Sequence, residues 1–156
     1  MEIIVARTSE HYSAAVELFK EYALGLGIDL QFQKFDNELQ ILPTMYGPPT
    51  GELWLVQSND KFVGCTALRQ LDKQTCELKR MFIQPAYRGR RLGEQLMDTA
   101  LTTARDLGYE YMKLDSLRRL EPAVKLYLRY GFTQILPYNY NPEVDVVYFE
   151  RSLIGV

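Results

Sequence analysis

Three arginines, Arg88, Arg90 and Arg91, crowd beside Gly89 and Gly93, directly ahead of a run with helical apolar spacing. The N-terminus of an α-helix carries roughly +0.5 of an elementary charge and favours anions, so cations there oppose the local field. From Pro85 to Leu92 there is no Ser, Thr, Asp or Asn, and no ordinary side-chain cap is at hand for the first free N–H groups. Glu94 and Asp98 are expected to relieve the positive charge only in part. A bound polyanion would resolve both conflicts, accepting the N–H groups while meeting the guanidinium groups. Local rules that fail together tend to mark function. The turn reads as a phosphate-binding site. Taken alone, the same residues also suit a solvated basic turn around a permissive glycine.

Other chemistries find less support. His11 is the only histidine and sits near the start of a helix, which leaves no partner for a Ser-His or Cys-His pair. The two cysteines, Cys65 and Cys76, lie inside strand-like segments without metal-ligand spacing, so buried free thiols in a reducing cytoplasm are expected, with no metal site. A dinucleotide fingerprint after the first strand would need glycines where Thr8-Ser9-Glu10 stands. Net charge is −2, so the basic turn is local and no nucleic-acid surface is expected. At 156 residues, 47% apolar and 24% charged, the chain is expected to form one soluble domain over 1–156. No apolar run approaches the ~20 residues of a membrane span, and because Met1-Glu2 opens directly into a strand pattern no signal peptide is expected.

The elements that must position the turn follow from periodicity. Met1 to Arg7 alternates like a strand, and Thr8 or Ser9 can cap a helix with the stripe Tyr12, Ala15, Val16, Phe19, Tyr22, Ala23 and Leu26. A shorter helix is expected from Phe32 to Leu42, then a loop from Pro43 to Gly51 that carries Tyr46. Strands are expected at Glu52–Gln57, Lys61–Gln70 and Thr75–Gln84, joined as an antiparallel meander. Leu92, Leu96, Met97, Ala100, Leu101, Ala104 and Leu107 form the stripe of the helix after the basic turn, closed by Gly108. Tyr109–Leu117 reads as a strand and Leu120–Tyr130 as a helix ended by Gly131. Phe132–Leu136 and Val144–Leu153 read as closing strands around a polar, aromatic loop with Tyr138, Tyr140 and Asn141. The order β-α-α-β-β-β-α-β-α-β-β indicates a mixed α/β domain.

Arg88-Gly89-Arg90-Arg91-Leu92-Gly93 resembles the acyl-CoA pyrophosphate loop of the GCN5-related N-acetyltransferase (GNAT) superfamily, whose pattern is Gln/Arg-x-x-Gly-x-Gly/Ala. Arg88 and Gly93 fit, and Arg91 replaces the middle glycine. Ala123-x-x-Leu-Tyr-Leu-Arg-Tyr-Gly-Phe132 looks like the second signature of the family, about 30 residues downstream, and the element order matches along nearly the whole chain. Leu114-Asp115-Ser116 and the stretch from Gly131 to Pro142 further resemble a subgroup of small, largely uncharacterised bacterial acetyltransferases.

The resemblance implies a mixed, mostly antiparallel sheet flanked by helices, with a V-shaped wedge between the fourth and fifth strands, often opened by a bulge, where a strand N–H could hold the thioester oxygen. It implies acetyl-CoA as cofactor, its pyrophosphate on the backbone of Arg88, Gly89, Arg90, Arg91, Leu92 and Gly93, and its pantetheine arm along Met81, Phe82 and Ile83. Glu77 stands eleven residues before Arg88, the offset of a family general base, and Tyr127 occupies the position of the general acid for the thiolate. Strand alternation would put Glu77, Lys79, Met81 and Ile83 on one face, where apolar surroundings would raise the Glu77 pKa towards neutrality. A structural pairing of Glu77 with Lys79 or Arg80, and helical packing of Tyr127, are the alternatives. Asp115, Ser116, Tyr46, Tyr138 and Tyr140 are candidates for reading the acceptor, with orientation of the cofactor arm or strand-end capping as the alternatives for Asp115 and Ser116. The implied reaction is direct acetylation of a small amine or peptide in a ternary complex, in the cytoplasm, with a homodimer as a further implication. A CoA-binding sensor that has lost turnover is the second reading.

Overall fold

The computed structural model describes residues 1–27 and 34–155. Strand β1 (Glu2–Val5) leads into helix α1 (Ser9–Leu26), then α2 (Phe35–Gln40) and α3 (Leu42–Met45). The strands β2 (Glu52–Ser58), β3 (Lys61–Gln70) and β4 (Thr75–Ile83) follow, and a single 3-10 turn (Pro85–Tyr87) precedes α4 (Leu92–Asp106). The chain closes with β5 (Tyr111–Leu117), α5 (Glu121–Arg129), β6 (Thr133–Ile135) and β7 (Val146–Ser152).

The seven strands form one sheet in the order β1-β2-β3-β4-β5-β7-β6. Every neighbouring pair is antiparallel except β4 and β5. Those two are parallel because α4 carries the chain back across the sheet between them. One face packs on α4 and α5 through Trp54, Leu78, Leu96, Met97, Met112, Leu114 and Phe149. The other packs on α1, α2 and α3 through Phe19, Phe35, Leu42, Tyr46, Leu55 and Ala67. Among the described residues no helix is long and apolar enough to cross a membrane.

Thr8 is the cap of α1, its side chain accepting from the His11 N–H at 3.1 Å. His11 reciprocates, its Nδ1 accepting from the Thr8 and Arg7 N–H groups at 3.3 and 3.0 Å. The single histidine is thus absorbed in closing a helix end. The helix expected from Phe32 to Leu42 starts outside the described residues at Phe32, and its described part breaks at Ile41 (φ −125°, ψ 25°). Pro43 explains the break, since its ring clashes with the carbonyl four residues back and it has no N–H to continue the ladder. Tyr46, expected on an exposed loop, instead caps α3 and is fully buried against Phe19.

A bulge divides β4. Cys65 pairs with Phe82 and Ala67 with Lys79, so Arg80 and Met81 together oppose the one residue Thr66. Arg80 takes the left-handed conformation at φ 57°, which costs a residue bearing a Cβ roughly 1–2 kcal/mol. The extra residue inverts the alternation of side chains. Cys76 and Leu78 face α4, and past the bulge Met81 and Ile83 face it too, while Phe82 turns to α1. Glu77 and Lys79 therefore do not share a face with Met81 and Ile83, contrary to simple alternation.

Burial on α4 holds the crossover in place. Replacing fully buried Leu96 by Ala should lower unfolding free energy by about 2–5 kcal/mol. Replacing Leu107, 41% exposed at the end of the same helix, should cost less than about 0.5 kcal/mol. Urea unfolding of the two variants checks the contrast, and equal losses would refute the assignment of the buried stripe.

Candidate active site

Between β4 and α4 the chain builds an uncapped helix start. Arg88 is extended, Gly89 takes φ 82°, and Arg91, the N-cap of α4, takes φ 62° and ψ 20° with no side-chain cap bond. The first helical bond runs from the Gln95 N–H to the Arg91 carbonyl at 3.1 Å. The N–H groups from Gly89 to Glu94 find no acceptor among the described residues. Such a run of outward amides is an anion cradle. Arg88 donates to the Ile83 carbonyl at 2.9 Å and lies over the Phe82 ring, which ties the turn to the end of β4. Arg90 stacks on Tyr87. The nearby acids do not serve these arginines, against expectation. Glu94 pairs with Arg129 at 3.0 Å, and Asp98 accepts from the Tyr130 hydroxyl at 2.8 Å. Burial and Asp98 push the Tyr130 pKa up to about 12.

Beside this turn the sheet opens. β4 and β5 pair only from Thr75↔Tyr111 to Glu77↔Lys113 and then separate. The wedge beyond is a cleft with Met81 on one wall, Asp115 and Ser116 on the other, and Tyr22 and Tyr127 among its lining. Tyr127 is buried against Phe132 and Phe149, and no acceptor binds its hydroxyl among the described residues. Burial raises its pKa well above that of free tyrosine, so it stays a neutral O–H donor. It is a core residue and a cleft residue at once.

The bulge residue itself is anchored. Arg80 Nε and Nη2 donate to the two carboxylate oxygens of Glu38 on α2, both at 2.8 Å, with side chains 3% and 1% exposed. The guanidinium also lies over Phe35. Burial opposes the Arg80 charge, but the hydrogen bonds and field of Glu38 prevail and raise its pKa. Thr66 donates to the Lys79 carbonyl and the Cys65 thiol to the Arg80 carbonyl, each at 3.3 Å. In a trans peptide the following N–H points opposite the carbonyl, so the Met81 N–H turns from β3 towards the wedge. The family resemblance implies a bulge and a strand N–H at this wedge, but sequence reasoning missed the Glu38–Arg80 anchor. The trace of the bulge is a slip of apolar phase, from Cys76 and Leu78 to Met81 and Ile83, around the adjacent charges Lys79-Arg80. Tyr22, taken only as part of a helix stripe, was likewise missed.

Glu77 is completely buried, with both oxygens occupied. Arg69 Nε donates to Oε1 at 2.7 Å and the Tyr138 hydroxyl to Oε2 at 2.6 Å. Burial would raise its pKa, but Lys79, Arg69 and the Tyr138 hydrogen bond outweigh it and hold the carboxyl below its ordinary range. The expected upward shift is thus reversed, because the surroundings are cationic and not apolar. Tyr138 also stacks edge-on against Tyr148 and sits under Lys113. Asp115 is half-buried, and its Oδ2 accepts from Asn139 at 3.0 Å. Tyr140 is 73% exposed. The Tyr46 hydroxyl lacks a hydrogen-bond partner of good geometry among the described residues, and burial holds its pKa well up. Of the candidates, the structure brings Met81, Asp115, Ser116 and Tyr127 to one cleft, sets Glu77 with Tyr138, and removes Tyr46 to the core.

Residues 12–132 match the sequence profile of the acetyltransferase (GNAT) family. An uncharacterised N-acetyltransferase of Schizosaccharomyces pombe (strain 972) is 38% identical over 138 residues, 87% of this chain and 85% of that protein. The crystal structure of an acetyltransferase from Streptococcus agalactiae superposes with a TM-score of 0.83 at 25% identity, covering 97% of each chain. A GNAT family acetyltransferase from Elizabethkingia anophelis, solved with acetyl-CoA bound, shares the fold at a TM-score of 0.58 and 20% identity, over 72% of this chain and 79% of that one. The chain belongs to the acetyltransferase (GNAT) family and is an N-acetyltransferase.

Proposed function

We propose that the protein transfers the acetyl group of acetyl-CoA to a primary amine of a small molecule or peptide, by direct attack in a ternary complex. The observation that carries this reading is the unpaired amide run from Gly89 to Glu94, flanked by Arg88, Arg90 and Arg91 and opening beside a wedge with Tyr127. These groups fit a diphosphate, which would take the amides as acceptor and the guanidinium groups as counter-charge. The acetyl-CoA bound in the Elizabethkingia relative is consistent with that fit. When bound, acetyl-CoA supplies an acetyl group activated as a thioester.

The residues of the chain supply the rest. The outer backbone of Met81, Phe82 and Ile83, unpaired with β5, offers strand-like bonds to an extended arm. The Met81 N–H stabilises negative charge on the carbonyl oxygen as the amine adds. A C–N bond forms and the C–S bond breaks; Tyr127 gives its proton to the departing thiolate. Asp115 meets the acceptor ammonium, its second oxygen outside any hydrogen bond among the described residues, and with water it receives the proton lost by the amine. Glu77 orients Tyr138 and Arg69 in place of taking that proton, since both its oxygens are already engaged. Buried free Cys65 and Cys76 suit a reducing cytoplasm.

At about 100 times its Kd, acetyl-CoA should stabilise the fold by about 2.7 kcal/mol and raise Tm by several degrees. Desulfo-CoA should do nearly as well, and an unmoved Tm at millimolar acetyl-CoA would sink the cofactor assignment. Tyr127→Phe should slow turnover by about 100-fold or more with the acetyl-CoA-induced Tm rise intact. Equal rates for variant and wild type would remove Tyr127 from the mechanism. Glu77→Gln tests the carboxylate by pH. A carboxyl held low in the folded state stabilises it above the unfolded value of about 4.3, and that stability is lost as pH falls through the folded value. The gap in urea unfolding free energy between wild type and Glu77→Gln should therefore be wide at neutral pH and narrow in acid. Its pH–rate profile should keep the wild-type alkaline limb; a changed limb would make Glu77 the base after all.

A further inference from the structure

We propose that the buried Glu38–Arg80 pair is a positioning device for catalysis, locking the β4 bulge in the register that turns the Met81–Ile83 backbone towards the wedge. The inference rests on the acetyl-CoA reading above. A bulge is one of two competing registers. Without the extra residue, regular pairing would place Met81 on the face of Glu77 and send Phe82 into the α4 core. Arg80 is the residue that absorbs the difference, in a left-handed conformation that glycine would adopt without strain. Its side chain reaches neither solvent nor β5. It runs to α2, where both oxygens of Glu38 receive it and Phe35 covers it.

Buried ion pairs are weak sources of stability, and their best-attested service is to fix one register among several. Here the pair joins the strand that borders the wedge to a helix on the opposite face from α4. The carbonyl bonds from Thr66 and Cys65 hold the peptide planes on either side of the lock. Regular pairing would oppose Thr66 by one residue and would have no place for two carbonyls facing β3 in succession. Cofactor-arm placement would thus depend on a guanidinium that is engaged by Glu38 on α2.

The test uses Arg80→Gly, which accepts the left-handed conformation but lacks the guanidinium, and Glu38→Gln, which keeps the shape and removes the charge. Amide resonances are followed while acetyl-CoA is titrated into the whole chain. In wild type, amides of residues 81–83 and 89–94 should both shift. In the variants the 89–94 amides should still respond, the 81–83 amides should not, and Kd should rise about tenfold. Variants that bind within about twofold of wild type, with 81–83 responding, overturn the proposal. So does a parallel loss at both segments, which marks general damage. If Arg80→Gly does not fold, Glu38→Gln decides by the same readouts, and failure of both to fold assigns the pair to folding alone. A wild type whose 89–94 amides ignore acetyl-CoA refutes the cofactor reading instead.

Discussion

The parting of β4 from β5 after Glu77 and Lys113 is the constraint on which the rest depends. Parallel strands joined by a helical crossover would ordinarily pair along their length and bury each other's edges. Here they pair over three positions, and the rest of each strand forms a wall. An interior strand therefore exposes backbone N–H and C=O groups in the middle of a sheet, where they would be costly to leave unsatisfied. The bulge at Arg80 bends β4 away, and α5 covers the gap from one side with Tyr127. What remains is a cleft lined by Met81, Asp115, Ser116 and Tyr127.

Charge distribution follows the same division. Below the wedge the buried acids among the described residues are matched: Glu38 by Arg80, and Glu77 by Arg69 and Tyr138. Above it, at the mouth of α4, cations and amides accumulate without an acidic partner among the described residues, because Glu94 is engaged with Arg129 of α5 and Asp98 with Tyr130 at its end. The lower network is saturated and rigid, so it suits holding geometry. The upper one is unsaturated, and so it suits taking a ligand of opposite charge. The two demands meet at Ile83, whose carbonyl receives Arg88 and so couples the turn to the strand.

How much of this the sequence disclosed depended on the range of the physics involved. The stripe of α4 and its missing cap are local, so the stripe from Leu92 to Ala104 and the uncapped turn were legible from residue types alone. The wedge was legible only through the resemblance, since strand separation depends on partners far apart in the chain. The bulge was likewise implied by the resemblance alone, and its own mark in the sequence is a phase slip that simple alternation passes over. Glu77 was read as a carboxylate in an apolar setting; Arg69, eight residues away, and Tyr138, sixty-one away, are brought to it only by the sheet and the β6–β7 connection. Tyr46 was misplaced for the same reason. Loop composition suggested exposure, whereas the turn after Pro43 folds its ring beneath α1.

Arg91 carries the last step. The N-cap of α4 takes a left-handed conformation in which glycine, the residue of the family pattern resembled here, is free of strain. Arginine there costs roughly 1–2 kcal/mol and adds a third cation to a field that already repels it. Neither penalty is offset within the described residues, for Arg91 makes no side-chain cap and its amide finds no acceptor. A fold keeps such a residue when the compensation comes from outside the chain. A diphosphate seated on the amides would reverse the sign of the local field, turning the arginine from a burden on the helix start into its counter-charge. On the proposed reading the strain at Arg91 and the strain at Arg80 would serve one end, each holding a backbone segment open for the same extended, anionic molecule.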